Sequence, residues 1–261
     1  MEDLGLVSII MPSYNTRQYI LEAIKSVQNQ TYSNWELIII DDCSNDGTFD
    51  CINNYLISNN EKRVKVTFNE KNVGAAISRN RALALAKGKW IAFLDSDDLW
   101  ENSKLEKQLA FMIKYTVNFS YTNYCEINEE GIPYGKKVTG PKRIGKWGMY
   151  NYCWPGCLTV MYNADVVGKI QISDLKKNND YLLWLNVMNY VKECRLLDET
   201  LAYYRVRNGS ISNQHWFKLV FWHYMLFRKG LGYGRCQSAC YTINNLFFGL
   251  IKKIIYRKNM E

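Results

Sequence analysis

One apolar stretch, "IAFLDSDDLW" (residues 91–100), runs into Asp95, Asp97 and Asp98, three carboxylates within four residues. Like charges so close repel, and ionised carboxylates are costly where a strand meets a core. A second cluster, "DDCSNDGT" (41–48), ends another apolar run, "WELIII". A helix cap and a solvated loop would account for one such cluster; two at strand ends point to an organised site. A divalent, oxygen-seeking cation resolves the repulsion. Mg²⁺ or Mn²⁺ takes one or two protein carboxylates and fills its remaining positions with water and substrate phosphates. A magnesium phosphohydrolase could use the same acids, but it would want a nucleophile or a phosphate cradle, and no G-x-x-x-x-G-K-[ST] is present.

The elements that must position these acids alternate. "VSIIMPSYN" (7–15), "WELIIIDDCS" (35–44), "VKVTFNE" (64–70) and "KWIAFLDSDD" (89–98) read as strands. "RQYILEAIKSVQNQ", "TFDCINNYLISN" and "GAAISRNRALALAKG" read as helices, the last closed by Gly88 as a cap. Short connections between them predict right-handed crossovers: an α/β fold with a mostly parallel sheet and helices on both faces. Ligands of such sheets bind outside the carboxyl ends of the strands, where both acid clusters fall. Beyond Trp100 the pattern predicts a helix at 103–115, strands within 117–128, 156–167 and 194–207, and a helix at 179–191 capped by Asn178 or Asn179. Residues 129–150, rich in Gly and Lys, read as a loop.

The chain of 261 residues carries a net charge of +8, unevenly placed. From Arg205 onward ten Lys/Arg face one acid, whereas residues 1–204 are close to neutral. That basic, aromatic C-terminal segment suits an amphipathic helix lying on an anionic leaflet; a helical cap over the domain is the alternative. No signal peptide is visible at the start, and no run reaches the roughly 18–20 apolar residues a bilayer span needs. The expected location is the cytoplasm, peripheral on the inner face of the plasma membrane. The eight scattered cysteines form no convincing zinc pattern and are expected to be reduced, packed thiols.

Three blocks in order, "VSIIMPSYN", "SVQNQTYSNWELIIIDDCSNDGT" and "NVGAAISRNRALALAKGKWIAFLDSDD", resemble family 2 glycosyltransferases of the GT-A fold, as found in bacterial O-antigen and capsule assembly. The likeness is dense over residues 5–100 and thinner to about 212. It implies a GT-A, Rossmann-like domain at 1–212, with a nucleotide-binding half (1–100) and an acceptor half (101–212), and a helical extension at 213–261. It also implies an inverting, metal-dependent hexosyl or N-acetylhexosaminyl transfer from a nucleotide sugar, most often UDP-linked, to a saccharide acceptor. That acceptor is expected to be lipid-linked.

Carried over by motif position, Tyr14 is expected to stack on the base, with Pro12 and Ser13 shaping that wall. Asp42 would accept the base N3–H, while Asp41 either supports it or reaches the ribose. Arg79 would approach the diphosphate or hold the acid loop. Asp95 and Ser96 belong to the donor site, with Asp97 the most direct metal ligand and Asp98 its neighbour or second ligand. The family's base, often the second acid of Glu-Asp, falls on Asp180 in "NNDYLLWL", where Asn179 replaces the first acid. Asp174 is a weaker substitute. Arg205, Arg207, Ser210 and Ser212 match a late loop that closes over the diphosphate. His215 is a structural residue or a further metal ligand. Trp154 either stacks on an acceptor sugar or packs in the core. Two other classes remain open at this stage: a basic nucleic-acid- or membrane-binding protein, and an inactive glycosyltransferase-like scaffold. Against the first, the strand-end acids repel phosphate and no nucleic-acid motif is present.

Overall fold

The computed structural model describes residues 3–173, 175, 177–207 and 216–259. Four parallel strands form its first half: β1 (Val7–Ser13), β2 (Trp35–Asp41), β3 (Val64–Phe68) and β4 (Trp90–Phe93), in the spatial order β3-β2-β1-β4. The helices α1 (Ile20–Gln28), α2 (Thr48–Asn59) and α3 (Ala75–Leu85) make the crossovers. Side chains alternate along each strand, so β1 sends Val7, Ile9 and Met11 into a core with α1 and Ile10 into a second core on the other face. Both faces are therefore covered, and β1 and β2 are buried along their whole length.

The second half is mixed. After β5 (Leu99–Trp100) and α4 (Lys104–Lys114) come β6 (Phe119–Ile127), β7 (Pro133–Val138), β8 (Arg143–Gly145), α5 (Lys146–Asn151), β9 (Met161–Asn163), α6 (Ala164–Val167), α7 (Asn179–Val187) and β10 (Glu193–Arg205). β9 lies antiparallel between β4 and β6, and so joins the halves into one sheet. The long β10 pairs with β6, with register shifts at Leu197/Thr200 and Thr200/Ala202, and its far end reaches β5 beside the acids. Such bulges bend a strand and re-aim its side chains.

Two expectations need correction. Residues 129–150 are not a loop but contain β7, β8 and α5. The lysines that disguised β7 are tolerable because the strand lies near the sheet edge, where charge discourages further pairing. Gly88 does not cap α3, which ends at Leu85. Its role is close approach, since a Cβ there would meet the Ser8 nitrogen at 2.5 Å and the Leu6 oxygen at 2.7 Å.

The basic segment forms α8 (Trp216–Met225), α9 (Arg235–Ile251) and a strand, β11 (Arg257–Asn259), with short π-turns after each helix. β11 adds to β7 as the outermost strand, an element the sequence pattern did not announce. Leu226 and Phe227 are fully buried in the core shared with α7, and Tyr233, Tyr241, Phe248 and Tyr256 pack against it. No helix among the described residues is long and apolar enough to cross a membrane. All eight cysteines are free; Cys43, Cys236 and Cys240 are exposed rather than packed.

Because the atoms opposing a Gly88 methyl are backbone, the contact cannot be relieved by a rotamer change. Gly88→Ala should cost about 1–3 kcal/mol of stability, the range of overpacked sites. Urea unfolding measures it, and a wild-type midpoint would contradict the close approach.

Candidate functional site

The strand ends build the site. β4 hydrogen-bonds on to Leu94, whose N–H donates to the Ile10 oxygen, and the chain then turns tightly, Asp98 N–H donating to the Asp95 oxygen at 3.1 Å. The turn leaves the Asp95 and Asp97 carboxylates partly exposed while Asp98 and Ser96 are buried. Arginines surround them. Arg79, on the buried face of α3, bonds Asp95 at 2.5 Å, and Arg207 pairs with Asp97 at 2.7 Å. Burial works against the Arg79 charge, but Asp95, Cys157 and Asp180 together outweigh it and hold the guanidinium more firmly protonated. Burial pushes the Asp97 carboxyl up, Arg207 pulls it back and Asp95 pushes again; Asp98 is raised further by burial and then by its two acidic neighbours. The arginines thus offset only part of the repulsion.

Arg205 does different work from that expected. Its side chain is fully buried and spent on the protein itself: Nε on the Asp97 carbonyl at 2.8 Å, Nη1 on the Glu129 carbonyl at 2.6 Å and Nη2 on Glu22 at 2.6 Å. Its backbone N–H donates to the Asp98 carboxylate at 2.9 Å. It is a clamp that shapes the acid turn, not a free diphosphate ligand. The Tyr19 ring lies beneath both Arg205 and Arg207, at 4.9 and 5.4 Å from ring centre to guanidinium. Tyr19 and Glu22, on and before α1, escaped the sequence reading because they belong to an amphipathic helix pattern that core packing already explains.

At the end of β2, Asp41 is buried and accepts the Ser44 N–H at 2.8 Å and its hydroxyl at 2.6 Å, which shapes the loop and does not point it at a ribose. Asp42 is likewise buried. Its Oδ1 accepts from Asn69 and the Val73 N–H, and its Oδ2 accepts the Gly74 N–H at 2.7 Å. A carboxylate oxygen has two lone pairs, so Oδ2 retains acceptor capacity. Gly74 sits at φ +89°, a conformation that favours glycine, where the chain enters α3. Pro12 and Ser13 are buried in β1, Ser13 bonding Thr16, and Tyr14 stands half-exposed beside them. A cleft of about 750 Å³ opens next to Asp42, lined by Asn69, Lys71, Val73, Ile77 and Arg81 among others.

Asp180 lies in the first turn of α7. Its carboxylate takes the N–H of Tyr181 at 2.8 Å, and burial raises its pKa above the ordinary carboxylate value while Arg79 pulls it down. Arg79 Nη1 also reaches the Asn179 side chain at 3.5 Å, so one guanidinium links the acid turn to the opening of α7. Asn178, at φ +58°, precedes the helix without a side-chain cap. The structure therefore gathers Arg79, Asp95, Asp97, Asp98, Asp180 and Arg207 into one region. Trp154 stands apart. Its ring packs between Tyr152, Phe248 and Tyr256 and its Nε1–H donates to the Gly148 oxygen at 2.9 Å, so it belongs to the core and offers no face to a sugar. Ser210, Ser212, His215 and Asp174 lie outside the described residues.

Among the described residues no three His, Cys, Asp or Glu side chains converge into a ready metal cage. Mg²⁺ and Mn²⁺ do not need one, because one or two carboxylates suffice when substrate phosphates complete the shell. Oxygen-only donors, with the Asp97 and Asp98 carboxyls pushed up first by burial and then by their acidic neighbours, fit such a cation.

The "Glycosyl transferase family 2" model matches residues 8–191. An Escherichia coli protein named UDP-Glc:alpha-D-GlcNAc-diphosphoundecaprenol beta-1,3-glucosyltransferase WfgD is 39% identical over 218 residues, 82% of each chain. Among solved structures, Staphylococcus aureus TarS 1-349 in complex with UDP-GlcNAc superposes with a TM-score of 0.70 at 22% identity, covering 92% of this chain and 71% of that one. The mannosyltransferase PcManGT of Pyrobaculum calidifontis, in complex with GDP-Man and Mn²⁺, gives 0.66 at 15% identity over 95% of this chain and 72% of its own. With the strand-end acids, the α7 acid and the parallel half in place, the chain belongs to glycosyltransferase family 2 and carries its GT-A fold.

Proposed function

We propose that the protein is an inverting, metal-dependent transferase that moves a sugar from a UDP-linked donor to a lipid-linked saccharide in surface polysaccharide synthesis. The observation that carries this is Arg79, which touches both Asp95 of the acid turn and Asn179 beside the partly buried Asp180, and so supports a site with donor-side acids and a candidate base around one guanidinium. The activity named for WfgD, transfer from a UDP-glucose donor to a diphosphoundecaprenol-linked acceptor, supports the substrate classes.

In this reading the base of the nucleotide stacks on Tyr14 near the cleft beside β3, with Asp42 Oδ2 accepting its N3–H. Asp97, backed by Asp98, would hold Mn²⁺ or Mg²⁺. Such a cation, when bound, supplies Lewis-acid stabilisation of charge on the leaving diphosphate. Arg79 and Arg207 add fixed positive charge on that side. Asp180 takes the proton of the acceptor hydroxyl as that oxygen bonds to the anomeric carbon. The bond from that carbon to the diphosphate oxygen breaks on the opposite face, so the configuration inverts. A raised pKa suits the role, because a base works best with a pKa approaching the operating pH.

The outer surface of the basic segment supports a membrane location. Ile243, Phe247, Leu250 and Ile254 are exposed at helical spacing along α9 and its π-turn, with Phe217 and Phe221 exposed on α8. Lys218, Arg228, Lys229 and Lys253 are exposed on the same segment, the composition of a helix that lies in an anionic interface.

Asp180→Asn should lower transfer by about 10²–10⁴-fold, the range for a lost general base, with UDP binding kept; near-wild-type turnover would move the base elsewhere. Since Asp180 acts ionised and its pKa is raised from 3.8, the rate should fall as pH drops through a value above 3.8. A pH–rate profile flat down to that value would contradict it. Asp97→Asn should weaken Mn²⁺-dependent UDP binding in calorimetry while the fold is retained; unchanged binding would refute the metal assignment. Replacing Ile243 and Phe247 by Ser should release the protein from phosphatidylglycerol vesicles in co-sedimentation. Persistent binding would show that this stripe is not the contact.

A further inference from the structure

The inner face of α9 touches the proposed base helix by a route that neither the family motifs nor the substrate reading supplies. Asn245 is fully buried, and its amide nitrogen donates to the Tyr181 hydroxyl at 2.7 Å. That hydroxyl in turn donates to the Met149 carbonyl of α5 at 2.7 Å. Tyr181 is itself buried, and its backbone N–H is the donor to the Asp180 carboxylate. One residue thus holds Asp180 at its backbone end and is pinned at its phenol end by the C-terminal helix.

Two further contacts fix α9 against the same wall. Lys252 donates to the Trp154 carbonyl at 2.8 Å and to the Cys153 carbonyl at 3.3 Å, with its ammonium 5.3 Å from the Tyr152 ring centre. Gly249 faces Tyr152, where an added Cβ would lie 3.0 Å from the ring. The helix is held close by a polar contact, a partly buried cation and a missing side chain on one face, while its other face carries the exposed apolar stripe.

We propose that Asn245 is a positioning residue for Asp180, acting through Tyr181, so that the C-terminal segment completes the acceptor side of the site. The proposal rests on the reading of Asp180 as the base only for its effect on turnover; the placement of the carboxylate can be measured separately. A donor amide fits this position because the Tyr181 hydroxyl already spends its proton on Met149 and can only accept from α9. Losing that donor leaves the Tyr181 hydroxyl tied to the Met149 carbonyl alone, so nothing from α9 then holds the phenol end of the residue that follows Asp180. Misplacement by about 1 Å is enough to cost a reaction about a hundredfold.

The test uses the full chain carrying Asn245→Leu, with carboxyl ¹³C NMR to follow Asp180 and hydrogen exchange to follow the Tyr181 amide. The Asp180 resonance is assigned by its absence in Asp180→Asn. Arg79, Asp95, Cys153, Cys157 and Lys252 are the charged or titratable groups around that carboxylate, and all remain in the variant. The expected result is a changed Asp180 titration midpoint and Tyr181 exchange faster by about tenfold or more. UDP affinity in the presence of Mn²⁺ should stay within about twofold of wild type, which a general loss of structure would not allow. An unchanged Asp180 midpoint, unchanged Tyr181 exchange, or an equal loss of UDP binding overturns the proposal. If Asn245→Leu does not fold, Tyr181→Phe removes the same link, together with the hydroxyl's bond to the Met149 carbonyl, with the ring retained, and the same outcomes decide. Should Asp180→Asn keep its turnover while the Asn245 variant moves the Asp180 midpoint, the base assignment fails and the positioning stands.

Discussion

The structure depends on balancing negative charge at the end of β4. Asp95, Asp97 and Asp98 occupy one tight turn at the edge of a dry sheet, and burial raises the cost of every uncompensated carboxylate there. The chain answers with arginines from three directions: Arg79 from α3, Arg205 from the end of β10 and Arg207 just beyond it. The mixed second half of the sheet is what delivers two of them. Without the bulged pairing of β10 on β6, the strand would not end beside the acids.

The three arginines differ in kind. Arg205 is enclosed and satisfied by carbonyls and Glu22, so its planar fork fixes backbone shape. Arg79 reaches the acid turn and α7 at once, which makes it the link between the two sides of the site. Arg207 holds a partly exposed carboxylate, Asp97, and is itself partly exposed. The proposed function calls for such a division, because a turn proposed to accept both metal and diphosphate cannot have all its charge locked in internal pairs.

Much of this was legible in the residues. Apolar strands that end on acids announce a cluster of carboxylates at one edge of a sheet, and the parallel half follows from helix and strand periods alone. What could not be read depends on contacts distant in sequence. The Arg205 clamp needs the register of β10. The role of Gly88 needs the nearness of Ser8, which no local pattern reveals. β7 hid behind lysines suited to a sheet edge, and β11 is three residues whose strand character comes only from its partner. Trp154 carried the residue type of a sugar platform, but the C-terminal segment covers it, and that packing is tertiary. Asn245 had no signature at all, since a buried Asn on a helix is recognised only once its partner is seen.

The central claim is that the acid turn accepts a divalent cation together with a nucleotide diphosphate. The most direct measurement is anomalous diffraction from a crystal soaked with MnCl₂ and UDP. The account predicts a manganese peak beside Asp97, with the diphosphate against it and within reach of Arg79 or Arg207. UDP bound with no manganese peak near that side chain, or UDP bound away from the ends of β1 and β4, would contradict it.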